Sequence, residues 1–398
     1  MAVQLRQDMT YDYIIVGRGL MGAAAAKHLS SEGYSVAVVG PDEPPDRQQH
    51  QGVFASHYDE GRITRILDPN LHWAQLAQRS IARYQSLEAK TGITFYQEVG
   101  HLAVGQRQGE SARYLAMLET VAGKLELSVD CLDAKQMRER FPFFRFEGDA
   151  VGFYQPRQAG YLSPRSHVAA QSKAVEMNGG TVIKDIGCAL HSDKSGIRIE
   201  TTSCTLKGKG IIVATGGFTK VSGLLPIETP LMVHGQTILL AEVKEADRQT
   251  LSGMPSLIHR PVDKSARFYL LPPIRYPDGR WYIKIGCPGR PLLSDDLTSL
   301  QRWFKNPGEV VTAEHLWQLI TNLLPNMTFA SVRSESCITT HTPSGYPIIA
   351  WVEPRRLVSL VGGNGYSGKS ADELGFIAAQ LLSRGAWTYD LPASLFQG

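Results

Sequence analysis

The first clear pattern along the chain is an apolar strand followed by a glycine-rich turn and an apolar helix. Residues 13–16 form a largely β-branched run that ends at Gly17, and an alanine-rich segment begins after Gly22. In this arrangement Gly17 makes the tight turn, Gly19 lets the backbone approach a pyrophosphate, and Gly22 lets the helix pack closely on the sheet. The N–H groups and the dipole of the first helical turn stabilise phosphate charge. The start of the chain therefore predicts a Rossmann-like βαβ unit that binds a dinucleotide.

The same unit continues into a second apolar strand at residues 35–40. An acidic residue about twenty positions past the glycines usually binds the adenosine ribose. Gly40 stands where we look first for that residue, and Asp42 follows two positions later. Asp42 either binds the ribose or serves as a turn residue in the proline-rich segment 41–45, and the sequence favours neither.

Helical and alternating periodicity predict further elements along the rest of the chain. Helices are expected over residues 71–90, 112–124, 134–140, 164–177, 297–304, 313–324 and 371–384. Strands are expected over residues 181–185, 196–201, 210–214, 236–243, 266–271, 281–286, 336–340 and 357–361. Gly216, just after the strand at 210–214, is either a second backbone contact beneath the dinucleotide or part of an ordinary strand end.

The order of these elements predicts two interleaved domains. A chain of 398 residues is too long for one simple core, so two domains are the default. We expect an α/β fold in which the Rossmann-like dinucleotide-binding domain is interleaved with a β-rich (α+β) substrate-binding domain. The dinucleotide-binding domain is expected to take residues 1–90, 163–226 and 338–398, and the substrate-binding domain residues 91–162 and 227–337.

Composition and charge restrict the class of protein. Apolar residues make up 43% of the chain and charged residues 20%, as in ordinary soluble globular proteins. The formal net charge of +3, without a long basic run, argues against a nucleic-acid partner, and no apolar stretch reaches transmembrane length. The five cysteines are scattered, without metal-binding spacing. We therefore expect a cytoplasmic enzyme without a metal site, a monomer or small homo-oligomer that contacts neither nucleic acid nor membrane.

A second glycine-rich turn precedes the last predicted helix, in the segment 360–370 (LVGGNGYSGKS). Another helix N-terminus close to the first suits the pyrimidine end of a flavin, which gains negative charge on reduction; a nicotinamide does not need it. Gly365 and Gly368 are then expected to contact the flavin. The alternative is an ordinary glycine-rich connection in which Lys369 is solvated.

Five motifs occur in an order and at a spacing that resemble one known family. They are the glycine turn at 17–22, the segment 56–65 (SHYDEGRITR), the strands around Tyr269 and Lys284, the segment 336–343 (SCITTHTP) and the turn at 365–369. The chain resembles the FAD-dependent amine oxidases typified by monomeric sarcosine oxidase and N-methyltryptophan oxidase, which have a D-amino-acid-oxidase-like fold. The resemblance covers most of the chain, and it implies FAD as the cofactor.

The resemblance also implies roles near the flavin. Cys337 is expected to carry FAD covalently through a thioether to the 8-methyl carbon; by itself it reads as a small buried side chain, and Cys287 is the less favoured reactive cysteine. Lys284 is expected to lie by the flavin ring and favour electron transfer to oxygen, because a cation stabilises developing superoxide. The alternative for Lys284 is an exposed strand face. Arg62 is expected to support the flavin and the electrostatics of the site.

Other matching residues are implied to bind substrate. Arg65 and Lys369 match the pair that binds the substrate carboxylate, Arg as a planar bidentate donor and Lys as a point charge. The alternative is that both arginines of this loop, Arg62 and Arg65, are solvated. Tyr269 and Tyr58 are expected to line the substrate pocket. Tyr58 stands where close relatives have a second histidine, and Pro288 replaces another pocket histidine, so sarcosine itself is doubtful as substrate.

The reaction implied by the resemblance is oxidation of an amine that carries a carboxylate. Hydride passes to flavin N5, water hydrolyses the imine, and oxygen is reduced to hydrogen peroxide. The alternatives are a dehydrogenase of the same fold with a quinone or protein acceptor, a non-catalytic flavoprotein subunit, and a nicotinamide-dependent reductase. Lys284 argues against the first, and the glycine turn at 365–368 argues against the last.

Overall fold

The structure, a computed structural model, describes residues 8–194, 196–225, 228–289, 291–293 and 295–398. Within these ranges the chain forms nineteen β-strands and ten α-helices. The strands are β1 (Asp8–Val16), β2 (Val36–Val39), β3 (Arg62–Thr64), β4 (Tyr96–Gln97), β5 (His101–Gln106), β6 (Asp130–Leu132), β7 (Ala150–Gln155), β8 (Gly160–Leu162), β9 (Thr181–Ile183), β10 (Gly187–Asp193), β11 (Gly196–Thr201), β12 (Thr205–Val213), β13 (Met232–Val243), β14 (Ser256–Arg260), β15 (Phe268–Arg275), β16 (Trp281–Gly286), β17 (Phe329–His341), β18 (Ile348–Glu353) and β19 (Leu357–Val361). The helices are α1 (Leu20–Ser31), α2 (Leu71–Ile81), α3 (Tyr84–Thr91), α4 (Gly109–Lys124), α5 (Ala134–Arg140), α6 (Pro164–Met177), α7 (Thr219–Ser222), α8 (Leu297–Lys305), α9 (Val310–Leu323) and α10 (Ser367–Arg384). In the described part of the chain, no helix has both the length and the apolar character needed to cross a bilayer.

The first sheet is built around β1. Strands β9, β2, β1 and β12 run parallel in that order, and β19 runs parallel along the end of β12. The antiparallel pair of β10 and β11 lies beside the start of β12, and β18 pairs antiparallel with β19. Ile14 and Ile15 point to opposite faces of β1 and are both fully buried, as expected for a parallel sheet covered on both faces. The α/β architecture predicted from the glycine turn is confirmed.

Helices α1 and α10, from opposite ends of the chain, pack against each other and share one apolar core with the first sheet. Gly375 of α10 lies at their closest approach. A Cβ at this position would be 2.5 Å from the Cβ of Ala24 and 2.6 Å from the backbone N of Ala25. Protein interiors are packed too densely to yield that much space, so the contact depends on glycine.

The second sheet has the strand order β17-β13-β16-β15-β14-β5-β7-β6. Neighbouring strands of this sheet run antiparallel, except for β14 and β5, which run parallel. Strand β16 lies inside the sheet, and its residues 282–286 are all buried, including Lys284. A small third sheet joins β3, β8 and β4. Strand β3 begins at Arg62, so this sheet positions the predicted motif at 56–65.

The division into two interleaved domains stays a prediction. The strands of the first sheet come from residues 8–39, 181–213 and 348–361, and those of the second from residues 101–155, 232–286 and 329–341. The boundary predicted between residues 226 and 227, and the first seven residues of the chain, lie outside the described residues.

One predicted helix is wrong in its extent. Residues 71–90 were expected to form a single helix, whereas α2 and α3 are separated by a turn at residues 82–83. The backbone N–H of Arg83 donates to the carbonyl of Ser80 at 3.1 Å, an i→i−3 bond that tightens the chain. The turn allows the Arg83 guanidinium to pair with Glu373 of α10. Apolar periodicity continues across the turn, which explains why the pattern did not reveal it.

The contact between α1 and α10 predicts opposite effects for two Gly→Ala substitutions. Gly375→Ala overpacks the contact and is expected to lower the free energy of unfolding by about 1–3 kcal/mol. Gly123→Ala is the matched control, since a Cβ there meets no atom within 4 Å and the residue is exposed near the end of α4. It is expected to raise the free energy of unfolding by about 0.4–1 kcal/mol by restricting the unfolded chain. Urea unfolding measures both, and equal effects of the two substitutions would contradict the prediction.

Candidate active site

The smaller of two adjoining cavities, about 410 Å³, lies where β1 and β12 end. Its lining includes Gly17, Gly19, Gly40 and Gly216. Gly17 has a φ of +111°, and a Cβ there would lie 2.2 Å from the carbonyl O of Ala214, so this turn requires glycine. A Cβ at Gly19 meets no atom within 4 Å, so a side chain at this position would enter the cavity. This bare backbone, beside the N-terminus of α1, fits the close approach of a dinucleotide pyrophosphate.

The structure places three other predicted residues near this cavity. Gly22 lies beneath the turn, where a Cβ would be 1.8 Å from a backbone carbonyl O. Asp42 is not among the described lining residues, and its carboxylate pairs with Arg18 and with Lys184. Its contact with a ribose stays a prediction. Tyr58, expected in the substrate pocket, lines this smaller cavity instead.

A larger cavity of about 840 Å³ adjoins the smaller one. The two cavities share four wall residues, so one elongated ligand can extend from the smaller into the larger. The shared residues are Arg62, Thr339, Gly365 and Gly368. The other predicted residues that line the larger cavity are Arg65, Tyr269, Lys284, Cys337 and Lys369.

The wall of the larger cavity is cationic. Six arginine and lysine side chains line it, and none of the described lining residues is Asp or Glu. A concave surface of one charge sign concentrates ligands of the opposite sign. The six are Arg62, Arg65, Arg260, Arg267, Lys284 and Lys369.

A buried carboxylate, Asp59, lies behind this wall between Lys284 and Arg62. Its Oδ2 pairs with both cations, and its Oδ1 accepts a hydrogen bond from the Tyr276 hydroxyl at 2.9 Å. Lys284 is 1% exposed, which excludes an exposed strand face. Burial and the Arg62 charge lower the pKa of Lys284. The negative charge of Glu335 opposes that fall, and the ion pair with Asp59 also favours the protonated amine.

A second buried carboxylate, Asp68, lies between Arg65 and Lys369. Its Oδ2 is 3.0 Å from Nη1 of Arg65 and 2.6 Å from Nζ of Lys369. None of the three side chains is more than 5% exposed, so Arg65 is not a solvated loop residue. Burial lowers the pKa of Lys369 to about 8, although Asp68 opposes the fall. With Lys369 protonated, the three charges leave one net positive charge at the cavity wall.

The predicted attachment residue, Cys337, lies in β17 and is half-buried in the wall of the larger cavity. Its Sγ is 3.5 Å from Nη2 of Arg62. Cys287 is 5% exposed, packs within an apolar cluster, and is absent from the described lining of either cavity. Of these two cysteines, only Cys337 borders the space that a flavin ring would enter.

Sequence reasoning missed both buried carboxylates. Asp59 stands three positions before Arg62, and Asp68 stands three positions after Arg65. Opposite charges at this spacing are informative on a helix, where the two side chains share a face. Here the segment is a loop and a short strand, so the spacing gives only a weak signal.

Comparison with known proteins identifies the family of this chain. The chain belongs to the DAO family of FAD-dependent oxidoreductases, whose family model matches residues 12–381. This confirms the expected family and the class of enzyme, an FAD-dependent oxidoreductase.

Individual relatives agree with the family assignment. The N-methyl-L-tryptophan oxidase of Yersinia pestis (strain Pestoides F) is 30% identical over 220 residues, which cover 55% of this chain and 56% of that protein. The match therefore spans about half the length of this relative.

Two solved structures share the fold over nearly the whole chain. NikD, an unusual amino acid oxidase essential for nikkomycin biosynthesis, aligns with a TM-score of 0.78 at 18% identity, covering 98% of this chain and 97% of NikD. Glycine oxidase from Geobacillus kaustophilus aligns with a TM-score of 0.75 at 19% identity, covering 98% and 99%. At these identities the likeness establishes the fold.

The lowered pKa of Lys369 predicts how carboxylate binding depends on pH. Lys369 is protonated below pH 8 and loses its charge above it. The dissociation constant of a simple monocarboxylate such as propionate is therefore expected to rise above pH 8, by at most about tenfold per pH unit. Calorimetric titration of the holoenzyme between pH 7 and 10 measures it. Lys369→Met is expected to bind weakly with no such dependence, and a flat profile in the unmodified protein would contradict the prediction.

Proposed function

We propose that this protein oxidises an amine that carries a carboxylate, with FAD as cofactor and oxygen as electron acceptor. The observation that carries the proposal is one cavity with two buried cationic sites, Arg65 with Lys369 and Lys284 with Arg62. When bound, FAD would supply the redox chemistry: acceptance of a hydride from the carbon beside the substrate nitrogen, and transfer of the two electrons to oxygen, which with two protons would give hydrogen peroxide. Water hydrolyses the imine product.

Arg65 and Lys369 hold the substrate carboxylate in this proposal. Asp68 already satisfies one N–H of Arg65, but Nε of Arg65 is buried without a hydrogen-bond partner among the described residues. An arriving carboxylate would satisfy that donor and balance the remaining positive charge. Holding the carboxylate fixes the position of the neighbouring amine and its carbon in the cavity. Tyr269 lines the same cavity.

Lys284 provides the positive charge for the reaction with oxygen. Its Nζ pairs with Asp59 and donates to the carbonyl of Gly61 at 2.8 Å, so the ammonium is held in one position inside the second sheet. A preorganised cation in a site shielded from water stabilises negative charge as it develops on oxygen. Arg62, which borders both cavities, adds a second positive charge beside it.

The dinucleotide would occupy the smaller cavity, against Gly17, Gly19 and Gly216, with Gly365 and Gly368 at the junction of the cavities. Covalent attachment through Cys337 is part of the proposal. Cys337 would hold the flavin through an Sγ–C bond formed at the expense of one S–H and one C–H bond, with oxygen as the acceptor of the two electrons released. The proximity of Cys337 to Arg62 and to the cavity supports this assignment.

A cytoplasmic location stays a prediction. A monomeric or small homo-oligomeric state stays a prediction.

Covalent attachment predicts where the yellow colour goes on acid precipitation. Flavin is expected to stay with the pellet of the unmodified protein and to leave with the supernatant of Cys337→Ala. Cys287→Ala is the matched control and is expected to keep its flavin in the pellet, because Cys287 lies in an apolar cluster away from both cavities. Colour in the supernatant of the unmodified protein would remove Cys337 from the proposal.

The oxidase activity is tested by separating its two half-reactions. N-methyl amino acids, imino acids and primary amino acids are mixed with the holoenzyme without oxygen, and bleaching of the flavin identifies a substrate. Admission of air is then expected to restore the colour and yield peroxide. Lys284→Met is expected to slow this second step by about 10²–10³-fold, as for removal of a preorganised charge-stabilising donor. The exposed Lys209, paired with Asp12 at the surface, provides the control Lys209→Met.

The outcomes separate the alternatives. Bleaching without recovery in air indicates a dehydrogenase of the same fold. No bleaching by any such amine rejects the proposed function and favours a non-catalytic flavoprotein subunit. If Lys284→Met slows both half-reactions equally, its assignment to the oxygen step is wrong.

A further inference from the structure

Arg260 differs from the other cations that line the larger cavity. Arg62 and Lys284 pair with Asp59, Arg65 and Lys369 pair with Asp68, and Arg267 pairs with Glu110 at 3.0 Å. Arg260 has no hydrogen bond from its guanidinium and no ion pair with any described residue. Five of the six cations therefore have a carboxylate partner among the described residues, and Arg260 is the sixth.

The surroundings of Arg260 leave its hydrogen-bonding edge available. Arg260 ends β14, and its guanidinium lies over the ring of Tyr114 of α4, with Cζ 5.1 Å from the ring centroid. A cation–π contact of this kind uses the flat face of the guanidinium. The N–H groups at its edge remain in the arrangement that matches the two oxygens of a carboxylate.

Tyr114 provides a second, independent sign of a missing ligand. Tyr114 lines the same cavity, is 7% exposed, and its buried hydroxyl has no hydrogen-bond partner among the described residues. Burial raises the pKa of Tyr114 to about 12, and the positive charges of Arg65 and Arg260 both oppose the rise. The hydroxyl is thus within electrostatic reach of both arginines, and a buried orphan donor is unfavourable unless a ligand satisfies it.

We propose that Arg260 and Tyr114 bind a second anionic group of the substrate, so that the preferred substrate is an amine with two carboxylates. Arg65 and Lys369 hold the first carboxylate, and Arg260 holds the second at another position on the wall of the same cavity. The identification of the ligand as an amine rests on the proposed function. The assignment of a second anion site rests on Arg260 and Tyr114 alone.

The test compares acids that differ only in their second charge. Calorimetry with the holoenzyme measures the dissociation constants of succinate, glutarate and adipate, and of the monoamide of each, at constant salt concentration. A monoamide keeps one carboxylate and the chain length but is neutral at its far end. For at least one length the dicarboxylate is expected to bind about tenfold or more tightly than its monoamide, the effect of one charge-assisted pair.

Three variants test whether Arg260 causes the preference for a dicarboxylate over its monoamide. Arg260→Gln is expected to bring the ratio for that length close to one, whereas Arg260→Lys keeps the charge, loses the planar fork and retains part of the ratio. Arg267→Gln is the matched comparison on the same wall, and its ratio is expected to stay within about threefold of the unmodified value because the Arg267 guanidinium already has Glu110 as an ion-pair partner, which Arg260 lacks. A ratio near one at every length in the unmodified protein overturns the proposal. So does a ratio that Arg260→Gln leaves unchanged.

The binding test is independent of catalysis, since none of these acids can be oxidised as an amine. If no amine bleaches the flavin but the dicarboxylate preference depends on Arg260, the proposed function fails and the second anion site stands. If amines are oxidised, N-methylglutamate and N-methylglutamine provide the kinetic counterpart. Their ratio of kcat/KM is then expected to favour the glutamate derivative, and Arg260→Gln is expected to remove that preference.

Discussion

The central physical constraint on this protein is the cost of keeping positive charge inside it. Lys284, Arg65 and Lys369 are all nearly excluded from water, and a buried cation without a partner is strongly destabilising. Asp59 and Asp68 remove most of that cost, each by serving two cations at once. Sharing one carboxylate between two cations leaves each group with a net positive charge. The same arrangement therefore makes the site compatible with folding and leaves it able to attract an anion.

The two cavities are coupled through their common wall. Arg62 contacts the space of both and also pairs with the carboxylate that holds Lys284. Gly365 and Gly368 provide backbone without side chains at the same junction. A ligand in the smaller cavity therefore shares a boundary with a ligand in the larger one. This geometry suits an enzyme whose cofactor must present one end to the substrate and remain bound at the other.

Features of the site that appear as local sequence patterns could be predicted from the sequence, whereas features that depend on contacts between distant residues mostly could not. The glycine turn at 17–22 is predicted by a local strand–turn–helix pattern, although the atom that excludes a Cβ at Gly17 belongs to Ala214, far along the chain. Lys284 stood out because it interrupts an apolar strand, although only the fold showed its partner. Lys369 joined Arg65 through a family resemblance, because their positions are far apart in the sequence. Asp59 and Asp68 were missed since their ion pairs are tertiary contacts. Which cavity Tyr58 lines also depends on tertiary packing, and its role in the substrate pocket stays a prediction.

The packing of α1 against α10 has a consequence for how the chain is made. Strand β1 lies between β2 and β12, and the helix that follows it, α1, is covered by α10. During synthesis the first βαβ unit emerges long before α10, so the apolar face of α1 that α10 covers stays exposed until α10 has been made. Contacts of such long sequence separation form slowly and expose surface to aggregation in the meantime. The nascent chain therefore needs protection from aggregation until α10 has been synthesised, and a stop codon before α10 would leave the apolar face of α1 uncovered.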